Sequence, residues 1–184
     1  MDLTQWLVAG HDDTVGRLRG QVLTLVPPGR RTERPGGGSP ILWNTLHIAR
    51  HAAVALDALA PGTAPAAPGW LADLAAGDAT AGLEEAPAPW ADDLAPASVD
   101  AYLEDVLAGT RSYLEGEAID FDAVPDVAAA LSRAGIGGNG VPWLRATWSG
   151  KPAAWLIRWP LTGHVTNHVG EMLATRNRMG LSPF

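Results

Sequence analysis

"SPILWNTLHIARHAAVALDALAPG", residues 39–62, decides the fold. Ser39-Pro40 makes a helix start, Ser as cap and Pro in the first turn. Pro61-Gly62 stops that helix after about Leu59. Within it, His47 and His51 stand four residues apart. "TGHVTNHVGEM", residues 162–172, repeats the spacing with His164 and His168. Four residues advance a helix by roughly 400°, so each pair shares a face, one turn apart along the axis. The chain has five histidines, for which chance placement gives on the order of 0.1 such pairs. Two pairs on apolar faces point to a divalent metal held between helices, since facing helices of a bundle are a common source of ligands. The plain alternative is a set of core histidines hydrogen-bonded to carbonyls or carboxylates.

Helices account for most of the remaining chain. Leu3 to Val26 places Leu3, Leu7, Leu18, Val22 and Leu25 near one side, with His11 and Thr14 on the same stripe. "VPPGRRTERPGGGSP" ends it. Residues 62–97, rich in Ala, Pro and Gly, read as an irregular excursion with short helical pieces around "GWLADLAAG", too poor in large apolar residues for a core of their own. A third helix is expected from Ser98 to about Glu115, with Val99, Tyr102, Leu103, Val106, Leu107 and Leu114 inward and Gly116 beyond its end. A shorter helix around "DVAAALSRAG" and a Gly/Trp-rich crossover lead to a last helix, from near Pro160 to just before Gly180. The expectation is one all-α domain over residues 1–184, a four-helix bundle with long irregular connections.

Composition removes several function classes. A net charge of −7 argues against general nucleic-acid binding, which needs clustered Lys and Arg. The densest basic stretch, "GRRTERPGG" at residues 29–37, reads as a solvated loop. With no cysteine there is no disulfide, zinc ribbon or protein thiol nucleophile. The N-terminus lacks the basic region and apolar run of a signal peptide, and no stretch of about 18 apolar residues suggests a membrane span. A soluble cytoplasmic protein that meets neither membrane nor nucleic acid is therefore expected, acting on a small-molecule substrate.

Around the second pair, Val165 stands where a zinc protease of the H-E-x-x-H type needs its general-base Glu. Glu171 projects from the same face one turn beyond His168, as a ligand, a partner holding an imidazole, or a general base; an ion pair with Arg178 is the bland alternative. "GIGGNG", residues 135–140, matches G-x-G-x-x-G, but it follows a helix where a dinucleotide site needs a strand. Trp43, one turn before His47, is placed to wall a metal pocket. Trp143, Trp148, Trp155 and Trp159 are placed to line a cavity beside the last helix or simply to fill an alanine-rich core.

"LWNTLHIARHAAVALDAL" resembles the second helix of the DinB-like superfamily, where a histidine ligand sits in a W-x-x-x-H context. "LTGHVTNHVGEMLATRNRMGL" resembles that family's final helix, which ends in H-x-x-x-H-x-G-E/Q. The resemblance implies a four-helix bundle with a three-histidine metal site, mapped here to His47, His164 and His168. Three protein ligands leave positions open for water or substrate, as in catalytic sites. His51 departs from the family pattern and stands as a fourth ligand, a general base or a pocket residue. The family includes metal-dependent thiol S-transferases and thiol-dependent maleylpyruvate isomerases. It implies an enzyme in which a divalent metal, Zn or Ni foremost, activates a small thiol for S-transfer or isomerisation. An Ala/Pro/Gly-heavy composition suggests a GC-rich source and hence mycothiol as the thiol. Arg50, Arg145 and Arg158 are candidate anchors for it. Homodimers are common among such bundles, which makes one an expected assembly although no residue establishes it. A metal-dependent hydrolase with Glu171 or His51 as base is the alternative enzyme; a non-catalytic metal-binding, stress-associated protein is the alternative of another class.

Overall fold

The computed structural model describes residues 2–116 and 119–183. Every regular element in them is helical and none is a strand, so the chain is all-α as its periodicities predict.

The first helix is interrupted. Helix α1 spans Leu3–Arg17 and opens on a capping box, in which the Asp2 carboxylate accepts from the Gln5 backbone N–H and the Gln5 side chain accepts from that of Asp2. It then widens into a π-helical turn, Leu18–Leu23, and the Thr24 N–H donates five residues back to the Arg19 carbonyl. One extra residue in the turn rotates the apolar stripe by roughly 100°. Val15, Leu18 and Val22 consequently face the core, while Leu3, expected inward, is 53% exposed.

Helix α2, Ile41–Leu59, is buried at every position except Asp57 and Leu59. A helix apolar on all sides belongs in the middle of a fold, and two charged residues in nineteen carry that signal. It starts one residue later than its capping pair suggests: Pro40, in extended conformation, is itself the cap position, and Ser39 makes no cap bond. Helix α4, Pro96–Leu114, begins two residues before Ser98 because Pro96 occupies its first turn. All six of its predicted inward residues are buried. Helix α2 packs against α4 and against α8, His164–Arg178; α1 packs against the same two helices. The short helices α3 (Gly69–Leu74), α5 (Val127–Arg133), α6 (Pro142–Trp148) and α7 (Ala153–Leu156) fill the connections.

The basic loop is more than a solvated connection. Arg31 is buried, donates from Nη2 and Nε to the Leu23 and Val26 carbonyls, and donates from Nη1 to both carboxylate oxygens of Asp100 on α4. It fastens the loop between α1 and α2 to the side of the fold.

The last helix also starts elsewhere than Pro160 predicts. The chain is already helical from Ala153, and Pro160 lies inside a second π-helical stretch, Ile157–Gly163. Proline lacks the N–H and crowds the preceding turn of an α-helix; the wider turn accommodates both defects. The Thr162 hydroxyl lies within bonding distance of the Ile157 and Arg158 carbonyls, at 3.0 and 2.7 Å. Gly163 closes the stretch where no larger residue fits: a Cβ there would lie 2.9 Å from the Arg158 carbonyl oxygen and 3.1 Å from the Trp159 ring. Gly163→Ala is expected to destabilise the protein by about 1–3 kcal/mol through overpacking, read as a lower urea midpoint by circular dichroism; an unchanged midpoint would show that the turn relaxes freely.

Candidate metal centre

Helices α2 and α8 bring the two histidine pairs to one interface. His164 is the first residue of α8, so the π-helical stretch before it sets where the second pair points. Ligand-capable nitrogens of His47, His164 and His168 lie within 4.8 Å of one another, and the Nε2 atoms of His164 and His168 are 3.1 Å apart. A tetrahedral ion with bonds of 2.0–2.1 Å needs its nitrogens about 3.3 Å apart. Small ring rotations reach that spacing, so the three residues fit a metal with imidazole preference.

The outer nitrogens show how the rings are aimed. His47 Nδ1 donates to the Gly82 carbonyl at 3.0 Å, and His168 Nδ1 donates to the Glu171 carboxylate at 2.8 Å. Such partners fix the tautomer and leave Nε2 with its lone pair for a metal. Of the readings open for Glu171, this contact is that of a partner holding an imidazole; the alternative ion pair with Arg178 is not formed among the described residues. Trp43 stacks on His47, centroids 4.4 Å apart and planes 21° from parallel, and so walls that ring.

Gly82 belongs to the excursion between α2 and α4 and is held in place by a second residue of α2. Arg50, 2% exposed, donates to the Ala81 carbonyl at 3.0 Å and the Ala79 carbonyl at 2.9 Å. Gly82 has φ of +79°, and a Cβ on it would stand 2.8 Å from Arg50 Cγ, so only glycine lets the loop approach α2 this closely. Arg50 is engaged in clamping the loop that aims His47. The sequence carries no sign of this, because the acceptors of Arg50 are backbone carbonyls 31 and 29 residues away.

His51 lies behind the trio and outside the group of mutually close nitrogens. It is fully buried; its ring centroid is 4.2 Å from that of His47 and 4.5 Å from that of His164. Its Nδ1 donates to the His47 carbonyl at 3.0 Å, which leaves Nε2 an acceptor without a partner. His164 Nδ1 is likewise buried and unpartnered. Once His164 gives its Nε2 lone pair to a metal, Nδ1 must carry the proton and needs an acceptor. The two orphaned atoms are therefore complementary. Trp143 and Trp148 of α6 close the far side of His51, at 5.7 and 6.0 Å between centroids, and Trp159 meets His164 at 6.0 Å. Trp155 instead lies under the Lys151 ammonium.

Burial holds His47 down to about 2, with the charges of His164 and His168 adding to the effect. Burial and then His168 hold His164 down to about 3, and His51 is pushed well below its ordinary range by burial and then by its histidine neighbours. These rings are neutral at pH 7, the form a metal takes.

Other candidates are spent elsewhere or stand apart. Arg145 donates to the Ile136 and Gly137 carbonyls, while Arg158 is exposed. "GIGGNG" joins α5 to α6 with no strand before it, and Gly140 is tight because a Cβ would meet Ile136 Cγ2 at 2.6 Å. His11 is buried on α1, away from the trio, with Nδ1 3.4 Å from Asp12. No described helix is long and apolar enough to cross a membrane. Compared with models of known families, with curated proteins and with solved structures, the chain matches none.

The depressed histidines carry a signed pH dependence. Their folded values lie below the unfolded value near 6.5, so the unfolded chain takes up protons first as pH falls. Their contribution is complete above pH 6.5 and is lost below it, by up to about 1.4 kcal/mol per pH unit for each group. Chelator-stripped protein should lose more stability between pH 6.5 and 4.5 than its His164→Gln variant, measured by urea denaturation. Parallel curves would mean the rings protonate without cost in the folded state.

Proposed function

We propose that the chain is a metal-dependent enzyme of the DinB-like kind, with α1, α2, α4 and α8 as its four-helix bundle. It activates a small cellular thiol, of the mycothiol type, for S-transfer or isomerisation. The observation carrying this reading is the convergence of three imidazoles from two helices, two with outer nitrogens already fixed. A divalent ion such as Zn or Ni, when bound there, lowers a thiol's pKa and holds the thiolate beside an electrophile.

The protein's own residues have distinct duties in this reading. His47, His164 and His168 bind. Glu171 orients His168 by accepting its Nδ1 proton, which leaves it poorly placed as a general base. Gly82, clamped by Arg50, orients His47. His51, whose Nε2 has no partner and whose ring centroid is 4.5 Å from that of His164, is on hand to accept once His164 Nδ1 carries a proton; so deeply buried an imidazole is a weak base at neutral pH. His168 keeps 15% of its side chain exposed, which supports access from solvent on the α8 side.

Cobalt(II)-loaded protein tests the thiol step. Addition of N-acetylcysteine should produce a thiolate-to-metal absorption band that saturates at one thiol per metal. An unchanged spectrum together with ester hydrolysis in the absence of thiol would replace this reading by the hydrolase. An unchanged spectrum without turnover, with four nitrogens bound, would replace it by a closed, non-catalytic site.

A further inference from the structure

A second concave site lies on the other side of α8, against α1. The cavity there has a volume of about 610 Å³, within the 300–1,000 Å³ of ordinary small-molecule sites. Leu3, Trp6 and Leu7 of α1 form one wall, Ile157 and Trp159 of the π-helical stretch the other, and Phe121 the end. Phe121 is held there because its carbonyl accepts from the Ala154 N–H at 3.0 Å, next to a bond from the Ala153 N–H to the Ala123 carbonyl. The chain leaves three large apolar side chains exposed among its described residues, and two of them, Leu3 at 53% and Trp6 at 62%, are in this wall. A concave concentration of unburied apolar surface marks a binding site more than scattered exposure does.

The polar groups of the cavity define the occupant. The Thr14, Thr162 and Thr166 hydroxyls are engaged with one another or with backbone carbonyls, and Asn167 adds an exposed neutral amide. Arg158 is the single charged residue in the lining, and among the described residues no carboxylate pairs with it. In a chain of net charge −7 an unpaired guanidinium at the edge of an apolar hollow is a specific complement for one anionic head. Two exposed side chains are too little apolar surface for a stable dimer, which buries about 800 Å² from each partner.

The geometry points to a binding site for an amphipathic carboxylate, its acyl or aryl body between Trp6 and Trp159 and its carboxylate on Arg158. The site is separate from the histidine trio and does not depend on a metal there. Trp159 is the one side chain common to both, since its ring also meets that of His164.

Isothermal titration with decanoate and with decanol tests it. The parent protein should bind one decanoate per chain, at least about tenfold more tightly than decanol, the lower limit for a hydrogen bond to a charged group. Arg158→Met should bring the two ligands to equal affinity. Gly10→Phe should abolish both, because Gly10 lines the cavity and a Cβ there meets no atom within 4 Å, so the ring fills the hollow without disturbing the fold. A His164→Ala, His168→Ala variant should bind decanoate as the parent does, which separates this site from the metal reading. Absence of decanoate binding, equal affinity of the parent for both ligands, or indifference to Gly10→Phe would overturn the proposal. So would a parent dimer made monomeric by Trp6→Ala, which would assign the surface to a second copy of the chain.

Discussion

A helix closed to solvent on every side must settle its polar side chains inside the protein, and α2 is such a helix. Unpaired buried polar groups cost roughly 1–3 kcal/mol each, so each polar side chain of α2 dictates something around it. Thr45 returns its hydroxyl to the Ile41 carbonyl. Arg50 draws in the loop carrying Ala79 and Ala81, and with it Gly82. His47 takes the Gly82 carbonyl, and His51 takes that of His47. Three buried polar atoms of α2 stay unpaired, Trp43 Nε1, Asn44 Oδ1 and His51 Nε2, the last on a ring whose centroid is 4.5 Å from that of His164, itself with an unpaired Nδ1. The imidazoles of this otherwise apolar helix are gathered at one place, where α8 supplies two more histidines.

The second determinant is the π-helical stretch before α8. Pro160 forbids a regular α-helix, Thr162 bonds to carbonyls of the widened turn, and Gly163 permits it to close. Its exit fixes the rotation of α8 and hence the direction of His164 and His168 about the helix axis. One face of that segment then meets α2 through the imidazoles, while another borders the apolar cavity against α1. The histidine centre and the cavity thus share a mechanical element as well as the ring of Trp159.

The parts of this arrangement legible in the sequence are those that act through local periodicity. The i, i+4 histidine spacing survives folding because it belongs to a helix, and it brought three of the four histidines within ligand range. The inward face of α4 was legible for the same reason, from Val99 to Leu114. The π-helical turns were not, because a single inserted residue changes phase without changing composition; Leu3 and the start of the last helix were misplaced accordingly. The clamping role of Arg50, a candidate anchor by sequence, was not legible because its acceptors are backbone carbonyls, which have no sequence signature. The excursion over residues 62–97 looked irregular and is so, yet it supplies the carbonyl that aims His47.

The most direct test is metal content per chain in untagged protein, set beside the His164→Ala, His168→Ala variant. About one equivalent of a divalent transition metal in the parent and almost none in the variant is the predicted result. A parent that is empty and takes up neither Zn nor Ni on titration would contradict it, and the four histidines would then be the hydrogen-bonded core of a helical protein.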